Sequence, residues 1–360
     1  MVRILFEVPL SEQDDGNKRQ KRRPRRRRNS TKNTSVDINQ GGDDEAIQRA
    51  LSRFTVNPAP MGFSQDIDPP AKIVNVKWDL NAVKKSVQSK ASPLVCSPGE
   101  FGFLPEERVQ QIAKKIEKLD ITLEQSLSLR SALNQEKSVY SHGRLMSRAN
   151  ELKRRYDSGE SVLSLSTRFD APPVNVFRAI LTGRGWSKNK IKETLKVPSK
   201  MNERDREQFQ LAESADRVSS VNQSETQNAA EVFEDILCDY FTSLNVRFRR
   251  QDDLLAEQKK SEGRAIITPD LLLLDDVRIN GIPCAWIDAK HFFGADLRFP
   301  KKKTQKQVDR YVNEYGQGAI VYRHGFCETL RLKGAILLDS SPLNLEALAT
   351  FHESIKKKSE

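Results

Sequence analysis

The chain has 360 residues, 37% of them apolar and 30% charged, enough for a sizeable core and, by length, for two or three domains. No apolar run approaches the roughly 18 residues of a membrane-spanning helix. The opening MVRILFEVPL is short and followed by acidic and basic residues, so it is a poor secretory signal. A soluble protein with no membrane role is expected. The formal net charge is +11, and nine basic residues with no acidic one fall in the single tract KRQKRRPRRRR. The rest of the chain is therefore close to balanced.

Residues 1–45 are polar, charged and rich in Asn, Ser, Asp and Gly, and are expected to be a disordered basic tail. Lys18, Arg19, Lys21, Arg22, Arg23, Arg25, Arg26, Arg27 and Arg28 repel one another and cannot pack together. Such a tract serves as a nuclear import signal, a nucleic-acid arm or both, or is a solvated tail with no partner. Residues 46–104 are poorly defined. Within them AKIVNVKWDLNAVKKSV reads as a strand leading into a short helix, between proline and glycine breaks.

From Pro105 the pattern turns helical and stays so to about residue 200. Val109, Ile112, Ala113 and Ile116 mark one apolar face. ITLEQSLSLRSAL and HGRLMSRANELKRRY predict two further helices. Val162, Leu165 and Phe169 then define a short helix, broken at Asp170–Pro172, and Pro173 opens the next one, where its missing N–H costs nothing. Val174, Phe177 and Ile180 give that helix its buried face, and Asn175, Arg178 and Thr182 point away from it. Two short helices joined by a tight turn fit a helix-turn-helix whose second helix meets DNA through Asn175 and Arg178. A connecting bundle fits the same pattern. A helix over 187–195 follows, and the polar stretch from Lys200 to about Gln223 reads as a charged helix and a linker, with the linker taken as residues 201–224.

The region 225–360 follows a different pattern. NAAEVFEDILCDYFTSL predicts a helix with Ala229, Phe233, Ile236, Leu237, Tyr240 and Leu244 on one face, Glu234 at its margin and Glu231 on the polar side. Strands are expected at NVRFRR, AIITPDLLLL and IPCAWIDAKHF, with Asn280-Gly281 as a strong hairpin turn. A basic helix, KKTQKQVDRYVNEYG, precedes two more strands and a closing helix. The expected order is α-β-β-β-α-β-β-α, an α/β layer arrangement behind an all-α module.

The hairpin carries the chemistry. A two-residue turn at Asn280-Gly281 sets Asp270 about three positions from Asp288, a gap that a bulge near Asp275-Asp276 or a longer turn closes. Asp288 and Lys290 are two apart and share one side of their strand. Two close carboxylates call for a cation, and Mg2+ with oxygen ligands is the natural one, with Mn2+ as a substitute. The Ala289 carbonyl is a third ligand, and Glu234 a fourth, directly or through water. Lys290 beside that cation orients and activates a water for attack on a phosphodiester. Gln307 and Tyr311, four apart on one helix, orient the substrate or the lysine. Lys301, Lys302, Lys303, Lys306 and Arg310 receive a phosphate backbone. His291 follows the motif and is expected to be structural or peripheral. Cys96, Cys238, Cys284 and Cys327 form no CxxC pair and have no histidines grouped with them, which argues against zinc and suits a reducing compartment.

Pro269-Asp270 and Asp288-Ala289-Lys290 resemble the two central motifs of the PD-(D/E)xK nuclease superfamily. Gln307-Val308-Asp309-Arg310-Tyr311 resembles the helix motif of its RecB-like branch. The runs TPD…WIDAK, QVDRYVNEYGQGAIVYRHGF and GAILL resemble the codanin-interacting nuclease family, whose members carry helix-turn-helix units ahead of a nuclease domain. The likeness covers about residues 225 to 340 and does not extend over the first 100. It implies a restriction-endonuclease-like α-β-β-β-α-β domain with a mixed sheet, and a Mg2+ site built on Glu234, Asp270, Asp288 and Lys290 with Gln307. It also implies DNA as substrate, branched structures included, a codanin-like partner and a nuclear role connected with chromatin, with the cytoplasm as a second location. An adaptor that binds such a partner with little turnover, and an RNA-processing nuclease, stay open as rivals, and so does a homodimer.

Overall fold

The central hairpin organises the structure. The computed structural model describes residues 44–55, 72–216, 224–264 and 266–359. The basic tract Lys18–Arg28 lies outside the described residues, as do residues 217–223 of the expected linker. In chain order the elements are α1 (Asp44–Thr55), β1 (Ile73–Val76), α2 (Lys85–Val95), α3 (Glu106–Ile116), α4 (Leu123–Ser147), α5 (Ala149–Asp157), α6 (Val162–Phe169), α7 (Pro173–Gly183), α8 (Lys188–Lys196) and α9 (Glu203–Ser214). They continue with α10 (Ser224–Ser243), β2 (Phe248–Arg250), α11 (Gln251–Glu262), β3 (Leu271–Ile279), β4 (Ile282–Lys290), α12 (Arg298–Tyr315), β5 (Gly318–Tyr322), β6 (Ala335–Asp339) and α13 (Glu346–Ser359). The protein is thus mixed α/β. Among the described residues no helix is long and apolar enough to cross a membrane.

The two helices expected at 121–133 and 142–156 are instead one 25-residue helix, α4, and a shorter α5. A capping box of Thr122 and Gln125 starts α4. Its middle lacks an apolar stripe because the buried positions there are polar. Arg130 donates to the carbonyls of Glu100 and Gly102, and Asn134 donates to Glu100 as well. Helix α7 packs against α4, α5, α6, α8 and α9. Pro173, Val174, Val176, Phe177, Ala179, Ile180 and Leu181 are all buried in it. Beneath it the buried Asp205 carboxylate accepts from the Tyr156 hydroxyl at 2.9 Å and the Arg184 guanidinium at 2.6 Å.

The sheet is six-stranded and mixed, in the order β1-β3-β4-β5-β6, with β2 paired to β3 off that path. The strand expected in residues 46–104 is β1, and it pairs parallel with residues 276–279 of β3. Strand β2 pairs antiparallel with residues 271–273, so the two share one edge of β3 end to end and cover it. Asn280 and Gly281 both have positive φ, 51° and 83°, as a tight hairpin turn requires.

Helix α11 occupies residues where no element was expected, and the strand expected at 265–274 begins at Leu271 and runs on to Ile279. Leu244, one residue past the end of α10, is exposed at 37% rather than buried, and Phe241 takes its expected place in the core. One sheet face presents Leu271, Ile287, Ala289, Ala319 and Val321 to the buried face of α10 and to Leu348 of α13. The other presents Leu272, Trp286, Ile320 and Tyr322 to Val308, Tyr311 and Tyr315 of α12, with Ala50 of α1 and Leu254 of α11. Helix α1 is fastened there by Gln317 N–H donating to the Ala46 carbonyl and by Arg49 donating to the carbonyls of Val312 and Asn313.

Candidate active site

The β3–β4 register decides where the two aspartates meet. Near the turn Val277 faces Cys284 and Ile279 faces Ile282, but further along Leu271 faces Ile287 and Leu272 faces Trp286. Between Leu272 and Val277 the register shifts. Asp275 holds this bulge. Fully buried, it accepts from the backbone N–H groups of Lys72 and Arg247 and from the Arg247 guanidinium. Burial opposes its charge, and the bonds from Arg247 outweigh burial and hold the carboxyl below its usual range. The shift carries Asp270 to the position opposite Asp288.

The two carboxylates are built into a common network. Asp270 Oδ2 accepts from Ala289 N–H at 2.7 Å, and Oδ1 accepts from Gln251 Nε2 at 3.3 Å. Asp288 Oδ1 accepts from Gln307 Nε2 at 3.1 Å and from the Tyr311 hydroxyl at 3.3 Å. Asp288 Oδ2 forms an ion pair with the Lys290 ammonium and takes no hydrogen bond of regular geometry. The Gln307 amide also donates to the Tyr311 hydroxyl at 2.9 Å, and the Tyr311 ring stands edge-on to Trp286. In a strand the N–H and C=O of one residue leave on the same side. The Ala289 carbonyl therefore also faces the Asp270 side.

Charge is unbalanced here. Burial, then the Asp288 and Glu234 charges, push the Asp270 carboxyl well above its usual range. Burial, then Asp288, push Glu234 up to about 7, with Lys290 opposing. For Lys290, burial disfavours the ammonium, but Asp288 and Asp270 outweigh it and raise the pKa. Burial and the nearby aspartates raise Tyr311, so it remains a phenol that donates. Three carboxylates thus share one ammonium, an oxygen-rich site short of positive charge.

Among the described residues no three carboxylate, imidazole or thiolate groups converge closely enough to hold a metal by themselves. Mg2+ does not need that, because it keeps several waters and binds through one or two carboxylates. Asp270, Asp288 and the Ala289 carbonyl fit such an ion in donor type, and Glu234 is near enough for the Asp288 charge to act on it.

Helix α11 supports the site in a way that hydrophobic periodicity could not reveal. Gln251, at its start, donates to Asp270 from its side chain and its backbone. Gln258 accepts from the N–H groups of Ile266 and Ile267 and returns a bond to the Ile267 carbonyl, fixing the approach to Thr268-Pro269-Asp270. Helix α4 holds the rim. Its Ser128 hydroxyl accepts from Phe293 N–H and its Glu136 carboxylate from Phe299 N–H, each at 2.7 Å.

The basic residues divide. Lys303, Lys306 and Arg310, at spacings of three and four on α12, form an exposed stripe beside Gln307. Partial burial and then the Lys290 charge lower the pKa of Lys303. Lys302 is exposed further round the helix. Lys301 turns instead to Asp296, at 3.8 Å. Asn175 and Arg178 sit in the helical layer, on α7. The Asn175 amide donates to the Ser138 hydroxyl of α4 at 3.0 Å, and Arg178 and Thr182 are exposed.

Comparison with known proteins gives a direction to this geometry. A family of proteins of unknown function defined by a TPD sequence motif matches residues 201–341, a span that includes Thr268-Pro269-Asp270. An uncharacterized protein, L539, of Acanthamoeba polyphaga mimivirus is 29% identical over 121 residues, 32% of this chain and 42% of the viral protein. The CDAN1-interacting nuclease 1 of Xenopus laevis is 35% identical over 86 residues, 23% of this chain and 28% of the relative. The Danio rerio protein of that name is 28% identical over 118 residues, 32% of this chain and 37% of the relative. The chain thus spans less than half the length of these curated relatives. No solved structure matches it. The chain is similar in sequence to a named nuclease family.

Proposed function

We propose that the protein is a divalent-metal-dependent endonuclease that hydrolyses phosphodiester bonds in DNA, branched structures among them, and that it acts with a codanin-like protein in the nucleus. The observation that carries this reading is the register shift that brings Asp270 opposite Asp288 beside the Lys290 ammonium. The similarity to nucleases named for their interaction with CDAN1 supports both the activity and the partner.

In this reading Asp270, Asp288 and the Ala289 carbonyl hold Mg2+ or Mn2+, with Glu234 reaching it through water. The ion, when bound, supplies a bound water of lowered pKa and neutralises charge on the phosphate. Lys290 orients the attacking water and donates to a phosphate oxygen on which charge grows. One P–O bond forms to the water oxygen, whose proton passes to solvent, as the opposite P–O bond breaks and its oxygen leaves as the strand-end hydroxyl, taking a proton from solvent. Gln307 and Tyr311 fix the Asp288 carboxylate, so that it need not reorganise during the reaction. The stripe Lys303, Lys306 and Arg310 receives the strand, and Arg178 on the helical layer extends that contact.

The test is the full-length protein with Mg2+ or Mn2+ on junction, flap, duplex and single-stranded substrates, in matched DNA and RNA forms. Cleavage of DNA that disappears in Asp288→Asn and Lys290→Ala supports the reading. Cleavage of RNA alone moves the substrate class. Intact substrates throughout, with tight partner binding, overturn the enzyme in favour of an adaptor.

A further inference from the structure

A second cluster of polar side chains lies directly behind Lys290 and has no part in the chemistry above. His291 follows the lysine, and its ring stands 5.7 Å from that of His324 and 6.3 Å from that of His352, centroid to centroid. These are three of the four histidines of the chain, and they come from the end of β4, the segment after β5 and helix α13. Phe233 of α10 walls one side, its ring 6.1 Å from His291. Arg323 completes the group, and its backbone N–H donates to the Lys290 carbonyl at 2.8 Å.

Two of these side chains are incompletely satisfied. Nε2 of His291 and Nε of Arg323 are buried and have no hydrogen-bond partner among the described residues. A buried polar group left unpaired costs roughly 1–3 kcal/mol, so two side by side are costly unless a ligand meets them. The acid that faces the cluster is Glu124, whose Oε2 lies 3.6 Å from His324 Nδ1 on a side chain that is 68% exposed. His352 is exposed and opens the cluster to solvent.

The chemistry favours an anion over a cation. No three donor groups among the described residues converge to hold a metal ion, and the Arg323 charge is near enough to lower the pKa of both His291 and His324, so the cluster repels a cation and attracts an oxyanion. We propose that His291, Arg323, His324 and His352 form a phosphate-binding subsite that holds a phosphate of the nucleic-acid strand next to the one cut at Lys290. Its nucleic-acid source rests on the nuclease reading, whereas the binding of phosphate itself does not. Arg323 supplies the charge and a planar donor face, and the imidazoles supply further N–H donors around it. Glu124 swings out as the strand enters.

The experiment is proton NMR of the imidazole C2–H signals of the full-length, metal-free protein, titrated with inorganic phosphate. Signals of His291, His324 and His352 should move along one saturable curve while that of His142 stays still. Arg323→Gln should raise the apparent Kd by about tenfold or more, the loss of one charge-assisted contact. His352→Gln, which removes an exposed side chain, should weaken binding in the same direction while the fold is intact. A short DNA strand should displace phosphate at lower concentration, and a strand with methylphosphonate linkages should not. Signals unmoved at about 50 mM phosphate, a strength at which even weak millimolar sites fill, would overturn the subsite. So would equal shifts in Arg323→Gln, or a response to Zn2+ in place of phosphate. Phosphate binding by a protein that cleaves nothing leaves the subsite standing and removes the nuclease, and cleavage without any phosphate response does the reverse.

Discussion

Replacing Asp270 by asparagine should stabilise the metal-free fold while removing activity. Asp270 is only 7% exposed and is held against Asp288 and near Glu234. Two like charges about 5 Å apart repel by about 3 kcal/mol at an effective dielectric of about 20. Glu234 adds to that and Lys290 subtracts from it, so relief of the repulsion is worth about 1–3 kcal/mol. Asparagine keeps an oxygen to accept the Ala289 N–H, and the Gln251 amide can rotate to present its oxygen to the new NH2 group. The variant should therefore melt roughly 2–8 °C above wild type in EDTA at pH 7.5. Added Mg2+ should raise the wild-type Tm, by about 1.4 kcal/mol of stability at ten times Kd, and leave the variant unmoved. A well-folded variant that melts below wild type in EDTA, or one that responds to Mg2+ as wild type does, would refute the reasoning.

Other outcomes follow from the same geometry. Tyr311→Phe removes the hydroxyl that donates to Asp288 and Thr268; it should cost about 1 kcal/mol in denaturant melts and about tenfold in single-turnover cleavage, with substrate binding unchanged. Gly318→Ala would place a Cβ 2.2 Å from the Trp286 ring, and urea titration should show a loss of about 1–3 kcal/mol from overpacking. His324 is lowered to about 4, chiefly by burial and then by Arg323. Its unfolded form binds the proton more tightly, so stability should be lost as pH falls from about 6.5 to about 4, by up to roughly 3 kcal/mol. In phosphate-free buffer the wild type should lose that stability relative to His324→Gln across that window. Ser128→Ala removes the acceptor of the Phe293 N–H; hydrogen exchange at Phe293 should rise, and kcat should fall with KM little changed.

The sequence made the carboxylates and their spacing readable, because proline, the Asn-Gly turn and strand alternation are local signals. The gap of three positions between Asp270 and Asp288 left a bulge near Asp275-Asp276 or a longer turn to close it, and the register shift beside Asp275 and Arg247 shows that it is the bulge. Helix α11 escaped because QDDLLAEQKKSE carries two adjacent leucines and no repeating apolar spacing; its value lies in Gln251 and Gln258, which bond to backbone and carboxylate. The continuity of α4 escaped for a related reason. Asn134 and Ser141 are buried polar residues that break an apolar stripe without breaking a helix. That β1 would pair with β3, about two hundred residues away, is a long-range choice that no local pattern encodes. The three histidines, scattered at 291, 324 and 352, are brought together only by the sheet and the last helix.

Helix α4 touches both layers along its length: Ser138 takes the Asn175 amide of the helical layer, while Ser128 and Glu136 take the N–H groups of Phe293, just after Lys290, and Phe299, in the first turn of α12. A rigid rod gripped by both layers passes on displacement. A slide of one residue's rise, about 1.5 Å, exceeds what hydrogen bonds of 2.7 Å tolerate. A shift of the helical layer therefore pulls or releases the segment beside Lys290 through the rod that both share.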